Sequence, residues 1–223
     1  MRLSTHTVVL ALIAAAAGCG SDRVPASARA AEAAVPDDSV SRARMDSMNR
    51  AQPGYVIDSI FPPDEEMRRF RASLPGDSAI AFVGGASSRE ALVRRFVSAL
   101  SRNDTLALRS MAVRGREFAD LYYAESPYSK APYRQPPSFA WRMIQDPSSA
   151  GFAKLLRRLG GKPMTYVAHR CDPSVQVEGA TTRYAGCLVE VVNATGDTAT
   201  KRYFGSIVQR GGQYKFLSYT NYF

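Results

Sequence analysis

Aromatic and basic side chains are concentrated in one proline-rich segment, residues 121–141 ("LYYAESPYSKAPYRQPPSFAW"), which contains four tyrosines, four prolines and the only tryptophan of the chain. Aromatic faces stack on sugar rings, lipid headgroups or peptides, and neighbouring cations attract anions. The segment is therefore a candidate ligand platform, formed by Tyr122, Tyr123, Tyr128, Tyr133, Arg134 and Trp141. The alternative is a proline-stiffened loop whose rings pack over a sheet, and this interpretation is favoured because aromatic residues are common in such loops.

The amino terminus has the layout of an export signal. Arg2 precedes an apolar run, residues 8–17, and small residues follow the run. The run is too short to cross a bilayer, which needs about 20 residues. At its end, Ala16-Ala17-Gly18-Cys19 resembles the lipobox of bacterial lipoproteins.

The lipobox resemblance implies that residues 1–18 are a signal peptide and that Cys19 is the site of lipid attachment. In lipoproteins the thiol carries a diacylglyceryl group and the new amine is acylated, and each buried methylene then contributes about 0.8 kcal/mol to membrane anchoring. Gly20 in place of an aspartate favours the outer membrane, so the expected location is the periplasmic side of a bacterial cell envelope. The alternative is an ordinary secretory signal with an incidental cysteine.

Cys171 and Cys187 remain once Cys19 is assigned to lipid, and an even remainder in an exported protein predicts one disulfide. The alternatives are two buried thiols or a metal site that includes His169 and Cys171, although that spacing does not match the usual zinc motifs. The sequence contains no HExxH motif, no paired CxxC motif and no lysine-containing phosphate loop. We therefore predict no metal and no cofactor.

Positive charge is unevenly distributed along the chain. Residues 19–89 carry nine arginines against ten acids, whereas residues 90–223 carry nineteen lysines and arginines against ten acids. A basic domain near a membrane attracts anionic lipid, lipopolysaccharide or a cell-wall polymer. The alternative is arginines scattered over a solvated surface. Nucleic acid, the usual partner of a basic protein, is excluded by the expected export.

Composition divides the chain into a tether and a folded part. Residues 19–54 are rich in small and polar residues, which predicts a flexible tether, with a helix in "SVSRARMDSMNRA" as the alternative for part of it. Residues 55–86 form an amino-terminal extension of the domain, in which "YVIDSIF" predicts a strand and Pro62-Pro63 opens a short helix. The domain itself spans residues 87–223.

Helices are predicted in the first half of that domain. Ser87 and Glu90 have the spacing of a capping box, and Leu92, Phe96 and Leu100 then form an apolar stripe. A second helix begins at Asn103-Asp104-Thr105. Further helical segments are predicted at residues 117–123, 138–145 and 149–159.

Strands are predicted in the second half, at residues 164–171, 183–192, 200–209 and 213–223. Gly211-Gly212 indicates a tight hairpin and residues 193–197 a looser turn. A hairpin turning at residues 179–182 would leave the two cysteines out of register, and a bulge at Asp172-Pro173 would restore it. Helices followed by antiparallel strands predict an α+β fold, with helices packed on one face of a curved sheet.

This order resembles the NTF2-like superfamily, which includes SnoaL-like and ketosteroid-isomerase-like domains. The matching stretches are "REALVRRFVSALSRNDTLALRSM" and the terminal "GSIVQRGGQYKFLSYTNYF". The resemblance implies a conical pocket between the helices and the sheet. The helical segment at residues 122–159 is longer than the usual third helix of that superfamily.

Some NTF2-like proteins transfer protons in the cone and many are not catalytic. A carboxyl group desolvated against aromatic rings, with a tyrosine as hydrogen-bond donor, would supply such chemistry. The resemblance makes Asp120, Glu125 and His169 candidates, with Tyr122 and Tyr123 as donors. No catalytic motif of the superfamily coincides with these residues, so no catalytic residue is assigned.

The sequence therefore predicts a membrane-anchored exported lipoprotein with a non-catalytic domain that binds a small ligand, an envelope polymer or a partner protein. The alternatives are an isomerase- or hydrolase-like enzyme and a structural envelope subunit. An enzyme should contain a closed apolar cavity with a desolvated carboxyl group or histidine. A binding module should present an exposed aromatic or basic groove, and a structural subunit a large apolar surface patch.

Overall fold

The computed structural model describes residues 38–52, 61–132 and 134–223. The chain divides into two compact units, residues 1–58 and 59–223. In the first unit the described element is helix α1 (Asp38–Arg50), whose residues 39–50 are all exposed. The helix that was the alternative for part of the tether is therefore present. The signal peptide, Cys19 and the strand expected at residues 55–60 lie outside the described residues.

The second unit begins with helices and continues with strands, which confirms the α+β class. Its helices are α2 (Pro63–Ser73), α3 (Arg89–Ser101), α4 (Thr105–Met111), α5 (Gly115–Glu117) and α6 (Pro137–Leu159). A π-helical turn (Phe118–Tyr122) and two 3-10 turns (Tyr123–Glu125 and Pro127–Ser129) connect α5 to α6. None of the helices in the described part of the chain is long and apolar enough to span a membrane.

The start of α3 differs by one residue from the prediction. Ser88, not Ser87, is the N-cap, because the Ser88 hydroxyl accepts the backbone N–H of Ala91 at 3.0 Å. Glu90 then lies in the first turn of the helix and binds Arg94 at 2.9 Å. The capping box predicted with Ser87 is therefore wrong, although the helix it was meant to start is present.

The predicted starts of α2 and α4 are confirmed. Pro63 opens α2, where its missing N–H costs nothing in the first turn. Asp104 caps α4 by accepting the backbone N–H of Ala107 at 2.9 Å. This cap satisfies one of the free N–H groups that every helix start leaves. Two short sequence signals, Pro62-Pro63 and Asp104, therefore mark the two helix starts.

Helix α6 is continuous over 23 residues, where the sequence predicts two separate helical segments. Pro147 in its interior removes one backbone hydrogen bond and costs about 3 kcal/mol. The helix continues because Ile144 is buried before the proline, and Gly151, Phe152 and Leu155 are buried after it. Pro147 itself lies on the exposed side. Burial of one face therefore outweighs the local preference for a break.

In the described residues, seven strands form two antiparallel sheets rather than one curved sheet. The strands are β1 (Met164–Arg170), β2 (Val175–Glu178), β3 (Thr181–Tyr184), β4 (Leu188–Asn193), β5 (Thr198–Lys201), β6 (Ile207–Arg210) and β7 (Gln213–Phe216). One sheet has the order β1-β4-β5 and the other β2-β3-β6-β7. The runs predicted as single strands at residues 183–192 and 200–209 each pass from one sheet to the other. Gly186, with a φ of 60°, lies at the first of these crossings.

Two turns in the sheets were predicted correctly. Gly211 and Gly212 have φ angles of 55° and 75°, and this pair of left-handed residues makes the tight β6–β7 hairpin. The looser turn joins β4 to β5, where the N–H of Asn193 donates to the carbonyl of Asp197 at 3.0 Å.

The predicted disulfide is confirmed between Cys171 and Cys187, with an S–S distance of 2.02 Å. Strand β1 pairs with β4 so that Arg170 lies opposite Leu188, and the cysteines are the next residues outward. The chain between them forms the β2–β3 hairpin in the other sheet. The disulfide therefore joins the two ends of this hairpin.

The register that aligns the cysteines is set within β1. Tyr166 pairs with Val191 and Ala168 with Glu190, so Val167 is the extra residue of a β-bulge. The bulge expected at Asp172-Pro173 is therefore in the wrong place. From Ala168 to Arg170, β1 pairs with β4 without a further bulge, and the disulfide follows directly.

Two apolar cores lie within the second unit. The larger is built from α3, α4, the end of α6 and both sheets, and in it the ring of Phe96 contacts those of Phe204, Phe216 and Tyr219. The smaller lies around Phe118 and is built from α2, the π-helical turn and the start of α6. The residues of this smaller core also support the groove described next.

Candidate functional site

An open groove lies between the loop that follows α2 and the segment that joins α4 to α6. It is lined by residues 74–81, Val83, residues 114–117, Trp141 and Gln145, and it encloses about 840 Å³. We call it the main groove. Small-molecule sites in proteins typically enclose about 300–1,000 Å³, so the main groove is large enough for such a ligand.

A second pocket of about 430 Å³ continues from the main groove. The two share Arg114, Gly115, Trp141 and Gln145, and the second pocket adds Arg109 and the serines at 148 and 149. We call it the side pocket. Trp141 thus lies where an apolar loop surface meets a more polar pocket.

Two carboxylates hold the loop that forms one wall of the main groove. Asp120 accepts the backbone N–H of Ala79 at 2.9 Å and the Nε–H of Arg71 at 2.7 Å. Glu117 accepts the backbone N–H of Val83 at 2.8 Å. Phe82 of this loop is buried in the smaller core, and these hydrogen bonds fix the backbone on either side of it.

Glu117 is itself part of a buried ion pair with Lys215 of β7. The Lys215 ammonium donates to the two Glu117 oxygens at 2.8 and 2.7 Å and to the carbonyl of Val83 at 2.8 Å. The second Glu117 oxygen also accepts the backbone N–H of Arg114. Burial lowers the pKa of Lys215, and the hydrogen bonds to Glu117 offset this only in part. The three hydrogen bonds give every proton of the Lys215 ammonium an acceptor.

Trp141 packs one side of its ring into the smaller core, where its centroid lies 5.1 Å from that of Phe118. The side chain is half-buried and lines both the main groove and the side pocket. Of the predicted platform residues that the structure describes, it is the one that lines this site.

Three arginines give the site its charge. The guanidinium of Arg109 lies 4.9 Å from the ring centroid of Phe152, and Arg114 is exposed. Arg116 donates to the carbonyl of Leu74 at 3.1 Å, while its Nε is buried with no hydrogen-bond partner among the described residues. In the described part of the chain, none of the three forms an ion pair with a carboxylate.

The tyrosines predicted to bind ligand are used mainly in packing. Tyr122 and Tyr123 are 1% and 5% exposed and belong to the smaller core. Burial raises the pKa of Tyr122, and the neighbouring Glu178 carboxylate raises it further. The Tyr123 hydroxyl donates to the carbonyl of Gln135 at 2.7 Å, and burial raises its pKa as well.

The other members of the predicted platform are dispersed. Tyr128 lines a different pocket, of about 430 Å³, between α6 and the four-stranded sheet. Arg134 forms an ion pair with Glu66 of α2 at 2.8 Å. Tyr133 lies outside the described residues. The five platform residues that the structure describes therefore do not form one surface.

The three acid–base candidates have separate roles. Asp120 fixes the loop as described. Glu125 accepts hydrogen bonds from Arg210 at 2.6 Å and from the backbone N–H of Ala180 at 3.0 Å, so it holds the β2–β3 turn. The Nδ1 atom of His169 lies 2.8 Å from the hydroxyl of Tyr166 on β1, and burial lowers the pKa of this histidine.

The groove itself was missed by the sequence analysis. Its apolar loop residues Ile80 and Val83 were not singled out, and Arg109, Arg114 and Arg116 were counted only in the net charge. A signal existed, because Ile80 and Val83 are two apolar residues in a short glycine-containing loop between two predicted helices. The described residues contain no group of three or more histidine, cysteine, aspartate or glutamate side chains that could hold a metal ion.

Comparison of this chain with models of protein families, with curated proteins and with solved structures finds no match.

Proposed function

We propose that the chain is an exported lipoprotein whose domain binds a small, partly apolar ligand in the main groove. The observation that carries this proposal is an open groove that combines apolar walls, one aromatic ring and arginines without carboxylate partners in the described part of the chain. Such a groove is the arrangement expected of a binding module, whereas a catalytic site would need a closed cavity with a desolvated acid or base.

Exposed apolar side chains support ligand binding. Ile80 and Val83 are 94% and 61% exposed in the loop that forms one wall of the groove. Covering apolar area stabilises a complex by about 25 cal/mol per Å². A ligand that lies along this wall would remove both side chains from water without any change in the fold.

The ionisable groups next to the groove support binding rather than proton transfer. The Glu117 oxygens accept four hydrogen bonds, two of them from backbone N–H groups and two from Lys215. Asp120 is held in the same manner by a backbone N–H group and by Arg71. Moving a proton to either carboxylate would break contacts that position the loop.

Cleavage before Cys19 and acylation of its thiol would attach the domain to an envelope membrane, with residues 19–54 as the connection. The basic net charge of residues 90–223 would favour anionic envelope components near that membrane. We propose that the fold is of the NTF2-like type. The order of α3, Asp104, α4 and the closing β6–β7 hairpin supports this. An envelope polymer or a partner protein is the second class of ligand for the domain.

Binding can be tested with the neutral apolar probe N-phenyl-1-naphthylamine. Because Trp141 is the only tryptophan, transfer of its emission reports a probe bound near the groove, and two phenylalanine variants then test whether the probe lies inside it. Ala81→Phe should fill the groove and lower the affinity about ten-fold, a loss of about 1.4 kcal/mol. Ala168→Phe, at an exposed position of β1 that does not line the groove, is the matched control. Equal binding by both variants would contradict the proposal.

Lipid attachment can be tested separately by growing cells with a radiolabelled fatty acid. We expect label on the wild-type chain and none on Cys19→Ser. Labelling of the serine variant, or an unmodified amino terminus in the mass spectrum of the native protein, would refute the lipoprotein assignment.

A further inference from the structure

We propose that the groove selects a single-chain amphiphile with an anionic head group. The chain would lie along the loop at residues 74–83, and a carboxylate or phosphate would bind Arg109, Arg114 and Arg116. This inference rests on the proposed function, because it names the ligand class for the same groove.

The first argument for an anionic head group is the positive charge of the groove arginines. Several arginines elsewhere in the domain are paired with carboxylates: Arg71 with Asp120, Arg134 with Glu66, Arg183 with Glu178, and Arg210 with Glu125. In the described part of the chain the three arginines of the groove have no such partner. Other arginines, such as Arg157 and Arg170, also have no carboxylate partner among the described residues, so what distinguishes the groove is that three such arginines line two connected pockets.

Acidic groups at the groove do not cancel this charge. The Glu117 carboxylate is already offset by Lys215 at 2.7 Å. The positive charge of Arg114 lies close enough to contribute to the lowered pKa of Lys215, behind the larger effect of burial. Asp77 lines the loop end of the groove and is exposed, so the two pockets are lined by three arginines and, besides the paired Glu117, by one carboxylate. The potential at the arginine end is positive.

Arg116 supplies an unused donor. Its Nη2 is held by the carbonyl of Leu74, and its buried Nε–H has no acceptor among the described residues. More than about 90% of buried polar groups in proteins have a hydrogen-bond partner, so such a donor requires an explanation. An anionic oxygen bound at this wall would accept from it, and charge-assisted bonds of this kind are short and strong.

The layout of the site fits an amphiphile. Apolar side chains, including Leu74, Ile80 and Val83, line the main groove, whereas Arg109 and two serines line the side pocket. Trp141 lies between these two parts, and an indole ring suits such a boundary because it is apolar with one polar N–H. A neutral apolar ligand would leave the arginine end unused, and a small anion would leave the loop uncovered.

The test uses three ligands of equal chain length: decanoate, decanol and decyltrimethylammonium. Each is titrated as a monomer against the full domain, with Trp141 emission and calorimetry as readouts. We expect decanoate to bind at least about ten-fold more tightly than decanol, and decyltrimethylammonium to bind most weakly. Arg109→Gln combined with Arg114→Gln should lower the affinity for decanoate to that for decanol, while decanol and N-phenyl-1-naphthylamine still bind.

The matched control is Arg157→Gln combined with Arg170→Gln, which removes the same charge from exposed positions outside the groove. It should keep the preference for decanoate. Arg116→Gln is measured as a second variant, with thermal unfolding as the check that the loop contact at Leu74 survives. Loss of the preference in the control double variant would overturn the assignment to the groove arginines.

Other outcomes separate the two proposals. Equal affinity for decanoate and decanol overturns the head-group proposal while groove binding stands, and failure of every apolar ligand, including the naphthylamine probe, overturns the proposed function. Binding to phosphatidylglycerol vesicles but not to monomeric decanoate, lost when Arg109 and Arg114 are replaced, would show that the arginines contact a membrane surface instead.

Discussion

Replacement of Lys215 by methionine would leave the Glu117 carboxylate buried without its counter-charge. Lys215 is fully buried and Glu117 is 3% exposed, so water cannot take the place of the ammonium. Methionine has a similar length and removes only the charged group. The variant therefore tests whether this ion pair connects the loop at residues 79–86 to β7.

The expected cost is about 3–5 kcal/mol, the range for breaking one partner of a buried pair. For a domain of this size that corresponds to a melting temperature lower by about 6–20 °C. Glu117→Gln combined with Lys215→Met should be more stable than Lys215→Met alone, because no charge stays buried. One backbone N–H that Glu117 accepts would still lose its partner, which leaves a deficit of about 1–3 kcal/mol.

Urea unfolding followed by circular dichroism measures these differences. Lys201→Met, at an exposed position of β5, is the control and should change stability by no more than about 0.5 kcal/mol. A Lys215→Met variant within about 1 kcal/mol of wild type, or a double variant less stable than the single one, would refute the argument.

The pH dependence gives a second readout of the same pair. Burial lowers the pKa of Lys215 below its ordinary value of 10.5 in the folded state. Between the lowered value and 10.5 the unfolded chain binds more protons than the folded one, so this group makes stability rise with pH across that window. The rise should be absent from Lys215→Met.

Three further predictions concern other parts of the fold. Burial raises the pKa of Tyr122 and Tyr219 above 10.0, so both should stay protonated in the folded state and stability should fall as pH rises above 10.0, which ultraviolet titration of the phenolate band measures. Gly151→Ala would place a Cβ 2.0 Å from the carbonyl oxygen of Tyr219, and the forced separation should cost stability at the upper end of about 1–3 kcal/mol in urea unfolding; a neutral effect would contradict the packing of α6 on that segment. Replacing Cys171 and Cys187 together by serine should cost about 3 kcal/mol for their separation of 16 residues, and the unreduced, denatured wild type should show no free thiol from either.

Local sequence signals were sufficient to predict a helix start or a turn where one residue type has one strong structural preference. Asp104 before a new helix and Gly211-Gly212 between two alternating runs act through their own backbone, so no distant contact is needed to place them. Ser87 and Ser88 show the limit of this reasoning. Either serine can cap a helix, and the choice depends on how the preceding loop pairs with β7.

Longer-range features could not be inferred in this way. Pro147 predicts a break, and only the burial of residues on both sides of it keeps α6 continuous. The run at residues 183–192 has the alternation of a single strand, but Gly186 turns the chain into a second sheet. One long strand and two shorter strands in different sheets can show the same alternation of side chains, so strand propensity cannot distinguish them.

The candidate site depends on which charges are paired, and the sequence contains no such information. The chain has 29 lysines and arginines, and their pairing with acids follows from the folded positions of α2, α5 and the hairpins. Trp141, which is conspicuous in the sequence as the single tryptophan, lines the candidate groove. The tyrosines beside it were also conspicuous, and the structure places Tyr122 and Tyr123 in the core.

The bond between Cys171 and Cys187 makes the β2–β3 hairpin a closed covalent ring. A protease that cut anywhere within this ring would leave both fragments in one molecule, which reduction alone would separate. The same closure means that residues could be added or removed near the tip of the hairpin without changing which residues of β1 and β4 face each other. The register of β1 and β4 is thus set independently of the β2–β3 turn, which Glu125 holds separately.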